Sequence, residues 1–172
     1  MLNVMLDLET LGNRPSSVIV AIGAVKFGSG LLGDSFYRRI DAESCAAVGM
    51  TMDTSAVMFW LKQPEAARLE ITKPGEPLAT VLQEFALWIE KDAVVWGNGA
   101  SFDPVVLTHA YRAAGVKVPW RYVNERCYRT VKALFPNVPP DFSGTQHNAL
   151  DDAKSQALHL MQIMAFHPGA LV

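Results

Sequence analysis

The first 40 residues contain three successive segments with the pattern of β-strands, and this feature constrains the fold more than any other. Residues 2–10 alternate, so their side chains divide between the two faces of a strand. One face carries Val4, Leu6 and Leu8, and the other carries Met5, Asp7 and Glu9. Strands over 18–27 and 35–40, with a turn at 28–30, complete a predicted antiparallel meander.

The rest of the chain predicts helices around one further strand. Helix-start residues and apolar spacing predict helices that begin near Asp53 or Thr54, after Pro64, at Pro77 and at Asp103. Two further helices are predicted over residues 125–135 and 149–166. The apolar segment 93–96 predicts a short buried strand. This order indicates a layered α/β domain, and without a repeat or linker we expect a single domain over residues 1–172.

Composition narrows the class of protein. Half of the 172 residues are apolar and 19% are charged, as in soluble globular proteins. A net charge of −2 excludes a broadly basic nucleic-acid coat but not a nuclease, because bound divalent ions reverse the local field. Cys45 and Cys127 fit no metal-ligand spacing, which predicts free thiols. Neither a signal peptide nor a bilayer-spanning segment is visible, so we expect a cytoplasmic protein with no membrane partner.

Two acids lie on the same face of the first strand. Strand geometry places Asp7 and Glu9 roughly 7 Å apart, where like charges repel each other. A hard divalent cation such as Mg²⁺ binds carboxylate oxygens and removes this repulsion. The alternative is a solvated strand face with two ordinary acids. Thr10 follows directly and could hydrogen-bond, and the backbone there could hold a terminal nucleotide.

A third acid, Asp103, follows a glycine-rich segment at 97–99. Glycines after a strand allow the backbone to pass close to a ligand or a packed element. Because Pro104 comes next, Asp103 also fits the alternative of a helix N-cap.

The last helix carries a fourth acid and is preceded by His147. On a helical wheel the core stripe comprises Ala149, Ala153, Ala157, Leu160 and Met164. Asp152 borders this stripe, whereas Asp151 lies ~100° further round, toward solvent, where it complements the helix dipole. Imidazole groups titrate near neutral pH, so His147 can accept a proton from an attacking water. The alternative is an ordinary surface histidine.

Together the three clusters resemble the motifs of the DEDDh 3′–5′ exonucleases. Residues 7–10 look like their Asp-x-Glu-Thr motif, 98–103 like Asn-x-x-x-Phe-Asp, and 147–153 like His-x-Ala-x-x-Asp-Ala. The resemblance implies a ribonuclease H-like mixed sheet flanked by helices. Residues 53–68 further resemble small phage- and prophage-type members and bacterial exoribonucleases.

This resemblance implies a site and a reaction. It implies that Asp7, Glu9, Asp103 and Asp152 bind two Mg²⁺ or Mn²⁺ ions, and that His147 is the general base. The reaction would release 5′-mononucleotides from the 3′ end of a single strand. The residues that we expect to contact this strand are Thr10, Leu11, Asn98, Phe102 and Trp60.

Aromatic and basic side chains are the remaining candidates for binding a single strand. Phe59, Trp60 and Phe102 are candidates for base stacking, although the first two could equally be core residues. Candidates for phosphate contacts, or alternatively solvated surface residues, are Arg112, Arg121, Arg126, Arg129 and Lys132. Small relatives often cut short RNA as homodimers, so we expect RNA over DNA and a homodimer by association.

Two other functions share the predicted fold. A non-catalytic nucleic-acid-binding module would lack an acid or the histidine, and all five are present. A proofreading-type 3′–5′ exodeoxyribonuclease would act within a polymerase complex, and co-purification of a polymerase would favour it. A purely structural protein does not explain why three spaced motifs fit one site.

Overall fold

A five-stranded mixed sheet forms the centre of the molecule. The structure is a computed structural model and describes residues 2–167. The strands are β1 Asn3–Thr10, β2 Ile19–Gly28, β3 Leu31–Arg39, β4 Val94–Gly97 and β5 Glu125–Cys127. Their order in the sheet is β3-β2-β1-β4-β5. The first three strands form the predicted antiparallel meander, whereas β4 runs parallel to both β1 and β5.

Helices surround the sheet. They are α1 Ala42–Ala47, α2 Thr54–Leu61, α3 Glu65–Thr72, α4 Leu78–Trp88, α5 Asp103–Ala113, α6 Tyr128–Leu134 and α7 Ala149–Phe166, with a 3-10 turn at Tyr122–Asn124. The sequence did not predict α1, whose six residues are too few for a helical period to show. In the part of the chain that the structure describes, none of the helices has the length and apolarity needed to cross a bilayer.

The prediction of one helix over 125–135 is wrong at its beginning. Glu125–Cys127 is extended and pairs in parallel with the end of β4, with Val95 opposite Glu125 and Gly97 opposite Cys127. This pairing satisfies backbone groups that a helix would otherwise satisfy, so tertiary context overrides local propensity. The helix begins only at Tyr128, where the Sγ atom of Cys127 accepts a hydrogen bond from the backbone N–H of Thr130.

Both faces of β1 are buried, and they pack against different helices. Leu6 and its neighbours on one face join a core that includes Phe85 of α4 and Tyr111 of α5. Met5, on the opposite face, joins a second core that includes Leu160 of α7. The side chains of β1 therefore alternate between its two faces as predicted, and Asp7 lies on the face that α7 covers. Cys45 and Cys127 are free thiols, as predicted.

The backbone of α7 approaches the sheet most closely at Gly23. A Cβ atom at this position would clash with the carbonyl carbon of Ala149, which is the first residue of α7. Gly23 is also the residue of β2 that pairs with Asp7 of β1. The absence of a side chain at Gly23 therefore allows the first turn of α7 to lie against β2, directly beside Asp7 of β1.

Candidate active site

The side chain of Asp103 is hydrogen-bonded to the backbone of β1. Because β1 and β4 are parallel, their carboxyl ends lie at the same edge. The Asp103 side chain is 2% exposed, and its Oδ1 and Oδ2 atoms accept hydrogen bonds from the N–H groups of Leu8 (3.3 Å) and Asn98 (2.8 Å). Phe102 occupies the N-cap position of α5, so the alternative of an Asp103 N-cap is wrong.

The first turn of α7 brings Asp152 to the same place. Asn148 caps this helix, since its Oδ1 atom accepts hydrogen bonds from the N–H groups of Leu150 and Asp151. Asp152 follows, and its Oδ2 atom accepts a hydrogen bond of 3.0 Å from the N–H of His147. Asp7, Glu9 and Asp152 each offer one oxygen atom, and these atoms lie within 4.8 Å of one another.

Asp151 differs from the solvent-facing residue that the helical wheel predicted. It is partly buried, and its Oδ2 atom accepts a hydrogen bond of 2.9 Å from the N–H of Thr145. Its carboxylate also packs closely over Gly144, which has a positive φ of 112°. Asp151 is thus an acid of the first turn, as predicted, and it also holds the segment that leads to His147, a contact that a helical wheel does not include.

The two neighbouring aspartates give a matched pair of variants. We expect Asp152→Asn to lower the rate of nucleotide release by about 10²-fold, because it removes one of the clustered charges at a partly buried edge of the site. Asp151→Asn should change the rate by less than about threefold, since the asparagine oxygen can still accept the Thr145 hydrogen bond. Steady-state assays of both purified variants measure this ratio, and equal losses would contradict the assignment.

Burial makes the ionised forms of the four acids unfavourable. It raises the pKa of Asp7 well above its usual value, and the carboxylates of Asp103, Glu9 and Asp152 raise it further. Burial, with Asp152 and Asp103 nearby, raises the pKa of Glu9 to about 8. Burial also raises the pKa of Asp103 and of Asp152, although backbone N–H groups oppose both shifts. The metal-free site therefore holds protons that ordinary carboxyl groups would have lost at neutral pH.

This donor set fits divalent cations. The ligating atoms are carboxylate oxygens, which Mg²⁺ and Mn²⁺ prefer. Among residues 2–167, the Oε1 atom of Glu9 is buried without a hydrogen-bond partner. A cation would supply the missing partner of this atom and would offset the repulsion among the carboxylates.

The raised pKa values predict how metal-free stability varies with pH. Between about pH 4.5 and pH 8, folded Glu9 keeps a proton that the unfolded chain releases, so stability falls as the pH rises through this window. In EDTA we expect the Tm to fall by about 5 °C or more from pH 5 to pH 8. Glu9→Gln should reduce this fall, and Mn²⁺ should raise the Tm most at the alkaline end. A metal-free Tm that rises across the window, measured by thermal unfolding, would contradict the prediction.

His147 lies in the site in an uncommon backbone conformation. Its φ is +62°, and its N–H binds Asp152. The imidazole meets two aromatic rings of α2 edge-on, with ring centroids 5.3 Å away at Phe59 and 5.9 Å away at Trp60. His147 is therefore packed against α2, which restricts a histidine that sequence alone left as a possible surface residue.

A cavity of about 380 Å³ opens beside Glu9. Its lining includes Thr10, Phe102 and Trp60, whereas Leu11 and Asn98 are not among the described residues that line it. Leu11 packs partly buried against the larger core. Asn98 contributes its backbone N–H to Asp103.

The two aromatic residues of α2 have different environments. Trp60 is 4% exposed, and its Nε1 atom donates a hydrogen bond of 2.9 Å to the carbonyl of Thr10, so it is chiefly a core residue that ties α2 to β1. Phe59 is 44% exposed and also lines the cavity. Phe59 therefore has the larger exposed ring surface, a difference from Trp60 that was not predictable from their adjacent positions in the sequence.

The candidate phosphate-binding side chains are all exposed, namely Arg112, Arg121, Arg126, Arg129 and Lys132. Arg129 approaches the site most directly, because its guanidinium lies beside Gly99 and its charge lowers the pKa of Asp103 against the effect of burial.

Sequence reasoning missed one residue of the site. Gln156 lies four positions after Asp152 on α7, and its Nε2 atom donates a hydrogen bond of 2.9 Å to the Oδ1 atom of Asp7. The spacing of four was the available signal, because it places the two side chains on one face of a helix.

Solved exonucleases share this fold. The nuclease domain of 3'hExo, a DEDDh family member bound to rAMP, matches with a TM-score of 0.65 and 14% identity, over 96% of this chain and 92% of that one. A full-length 3'-exonuclease matches with a TM-score of 0.64 and 12% identity, over 96% and 82% of the two chains. E. coli exonuclease I in complex with a dA16 oligonucleotide matches with a TM-score of 0.68 and 14% identity, over 99% of this chain and 42% of that one.

Fold and motifs together define a DEDDh-type 3′–5′ exonuclease with a ribonuclease H-like fold, as the sequence predicted. No curated protein matches the sequence closely enough to count as a relative. The model of the Rv2179c-like 3′–5′ exoribonuclease domain, however, matches residues 2–164, and the chain belongs to that family.

Proposed function

We propose that this chain is a metal-dependent exonuclease that removes 5′-mononucleotides from the 3′ end of single-stranded nucleic acid, with RNA preferred over DNA. The observation that carries the proposal is the convergence of Asp7, Glu9 and Asp152 within 4.8 Å. Asp103 is buried beside them and accepts a hydrogen bond from the same strand that holds the first two acids. A non-catalytic module would have no need of such costly burial.

The four carboxylates would hold two Mg²⁺ or Mn²⁺ ions. When bound, a pair of such ions stabilises both the attacking and the leaving oxygen of a phosphodiester. Asp103 is oriented by two backbone N–H groups and Asp152 by one, so their oxygens are fixed before any ion arrives. This preorganisation avoids reorganising the site during the reaction.

His147 is the proposed general base. Its imidazole can accept a proton and its backbone lies against Asp152, so it can take the proton of the attacking water. Edge contacts with Phe59 and Trp60 restrict the ring and hold it near the acids.

The proposed substrate path begins in the cavity beside Glu9. Phe59 and Phe102 provide aromatic surface for the terminal base, and Arg129 provides charge for a neighbouring phosphate. The preference for RNA is supported by the exoribonuclease description of the family. We further propose a single catalytic domain that acts as a cytoplasmic homodimer, by analogy with small relatives.

A time course on end-labelled oligonucleotides tests this function. Single-stranded RNA and DNA of one sequence, labelled at either end, would be incubated with Mn²⁺ or with EDTA. We expect a 3′ label to leave at once as a mononucleotide, a 5′ label to give a descending ladder, and RNA to be cut faster. Activity in EDTA or release from the 5′ end would contradict the proposal. Faster cutting of DNA would favour an exodeoxyribonuclease.

A further inference from the structure

Gln156 joins the last helix to the first strand inside the candidate site. Its side chain is 9% exposed and lies one helical turn beyond Asp152. Its Nε2 atom donates to the Oδ1 atom of Asp7 at 2.9 Å. Helix α7 thus contributes the candidate metal ligand Asp152 and, one turn later, Gln156, whose amide contacts the candidate ligand Asp7.

Asp7 is held differently from the other hydrogen-bonded acids of the site. The carboxylates of Asp103 and Asp152 accept hydrogen bonds from backbone N–H groups, whose positions are set by the fold. The carboxylate of Asp7 is instead held by the amide of Gln156, which a substitution can remove. The hydrogen bond engages Oδ1, and the carboxylate retains acceptor capacity at Oδ2 for an ion.

The amide suits a metal site better than a charged donor would. A lysine or arginine at this position would neutralise Asp7 and compete with a cation for it. The neutral amide of Gln156 fixes the position of the Asp7 Oδ1 atom and leaves the negative charge of the carboxylate available to a cation.

Packing alone gives no reason for an amide at position 156. Within the described part of the chain, the Oε1 atom of Gln156 is buried without a hydrogen-bond partner. A buried unpaired carbonyl oxygen is unfavourable, and an apolar side chain of similar size would avoid that loss. The polar end of this residue therefore points to a role at Asp7.

We propose, building on the metal-dependent function above, that Gln156 is a positioning residue that orients Asp7 and thereby sets the affinity of the site for its divalent cation. Partners that hydrogen-bond to metal ligands commonly change metal affinity by about 10- to 100-fold.

Direct binding of Mn²⁺ to the whole protein, without nucleic acid, tests this role. In Gln156→Leu we expect the Kd for Mn²⁺, measured by titration calorimetry or by the signal of free Mn²⁺, to rise about tenfold or more. The metal-free Tm should equal or exceed that of the wild type, because an unpaired polar atom has been removed. Gln162→Leu, at an exposed position of the same helix, is the matched control and should leave both quantities unchanged.

An unchanged Kd in Gln156→Leu would overturn the inference, and a lower metal-free Tm with unchanged affinity would assign Gln156 a structural role instead. If the leucine variant does not fold, Gln156→Met keeps an unbranched side chain of similar length, and failure of both to fold would also overturn it. A wild type that neither binds Mn²⁺ nor releases nucleotides would refute the proposed function. An active wild type beside a tightly binding Gln156→Leu refutes only this inference.

Discussion

Asp7→Asn is expected to lower the rate of nucleotide release by about 10⁴-fold while the fold persists. Asp7 lies among Glu9, Asp103 and Asp152, whose charges all act on it, and it accepts a hydrogen bond from Gln156. Asparagine keeps the shape and can still accept this hydrogen bond, but it removes the charge that binds a cation.

Loss of the Asp7 charge also relieves its repulsion with the neighbouring carboxylates, so stability and metal response should change in opposite directions. The metal-free Tm of Asp7→Asn should equal or exceed that of the wild type, whereas the rise in Tm on adding Mn²⁺ should shrink. Asp34→Asn, at an exposed position of β3, is the control and should behave as the wild type does. Nucleotide release by Asp7→Asn at the wild-type rate, in preparations free of contaminating nuclease, would refute the proposed site.

His147→Asn is expected to lower the rate by about 10³-fold, within the range for removal of a general base. Asparagine tolerates the positive φ of 62° at this position better than most residues, so the loop should keep its conformation. The backbone N–H that binds Asp152 is also retained.

This substitution separates proton transfer from metal binding. We expect the Mn²⁺-induced rise in Tm to stay at the wild-type value, because the imidazole is not among the clustered ligands. His109→Asn serves as the control. A variant that loses activity and the response to Mn²⁺ together would show that His147 maintains the metal site, and one that loses neither would exclude it as the base.

The parts of the site that sequence could predict are those that depend on local periodicity. The two-residue period of β1 placed Asp7 and Glu9 on one face, and the 3.6-residue period of α7 placed Asp152 at the edge of the core. These relations survive in the fold because both elements are long and have a clear apolar stripe. The meander was predictable for the same reason, since its turn at 28–30 is short and marked by glycine.

The parts that escaped prediction depend on contacts that each element makes with the chain outside it. Strand β5 is three residues long and has no periodic pattern, so only its pairing with β4 makes it extended. Asp151 was placed toward solvent because a helical wheel does not include the preceding loop, whose Thr145 folds back and donates a hydrogen bond to it. Gln156 went unnoticed because a glutamine on a helix gains a role only when β1 lies opposite it.

The close approach of α7 to the sheet bears on how inactive members of a lineage are recognised. A chain could keep all four acids and the histidine and match every motif, yet carry alanine at position 23. The Cβ atom would then meet the backbone at Ala149, and the helix would have to move outward with its acid. Surveys that judge activity from reactive side chains alone would count such a chain as an enzyme, so the glycine belongs among the residues that they score.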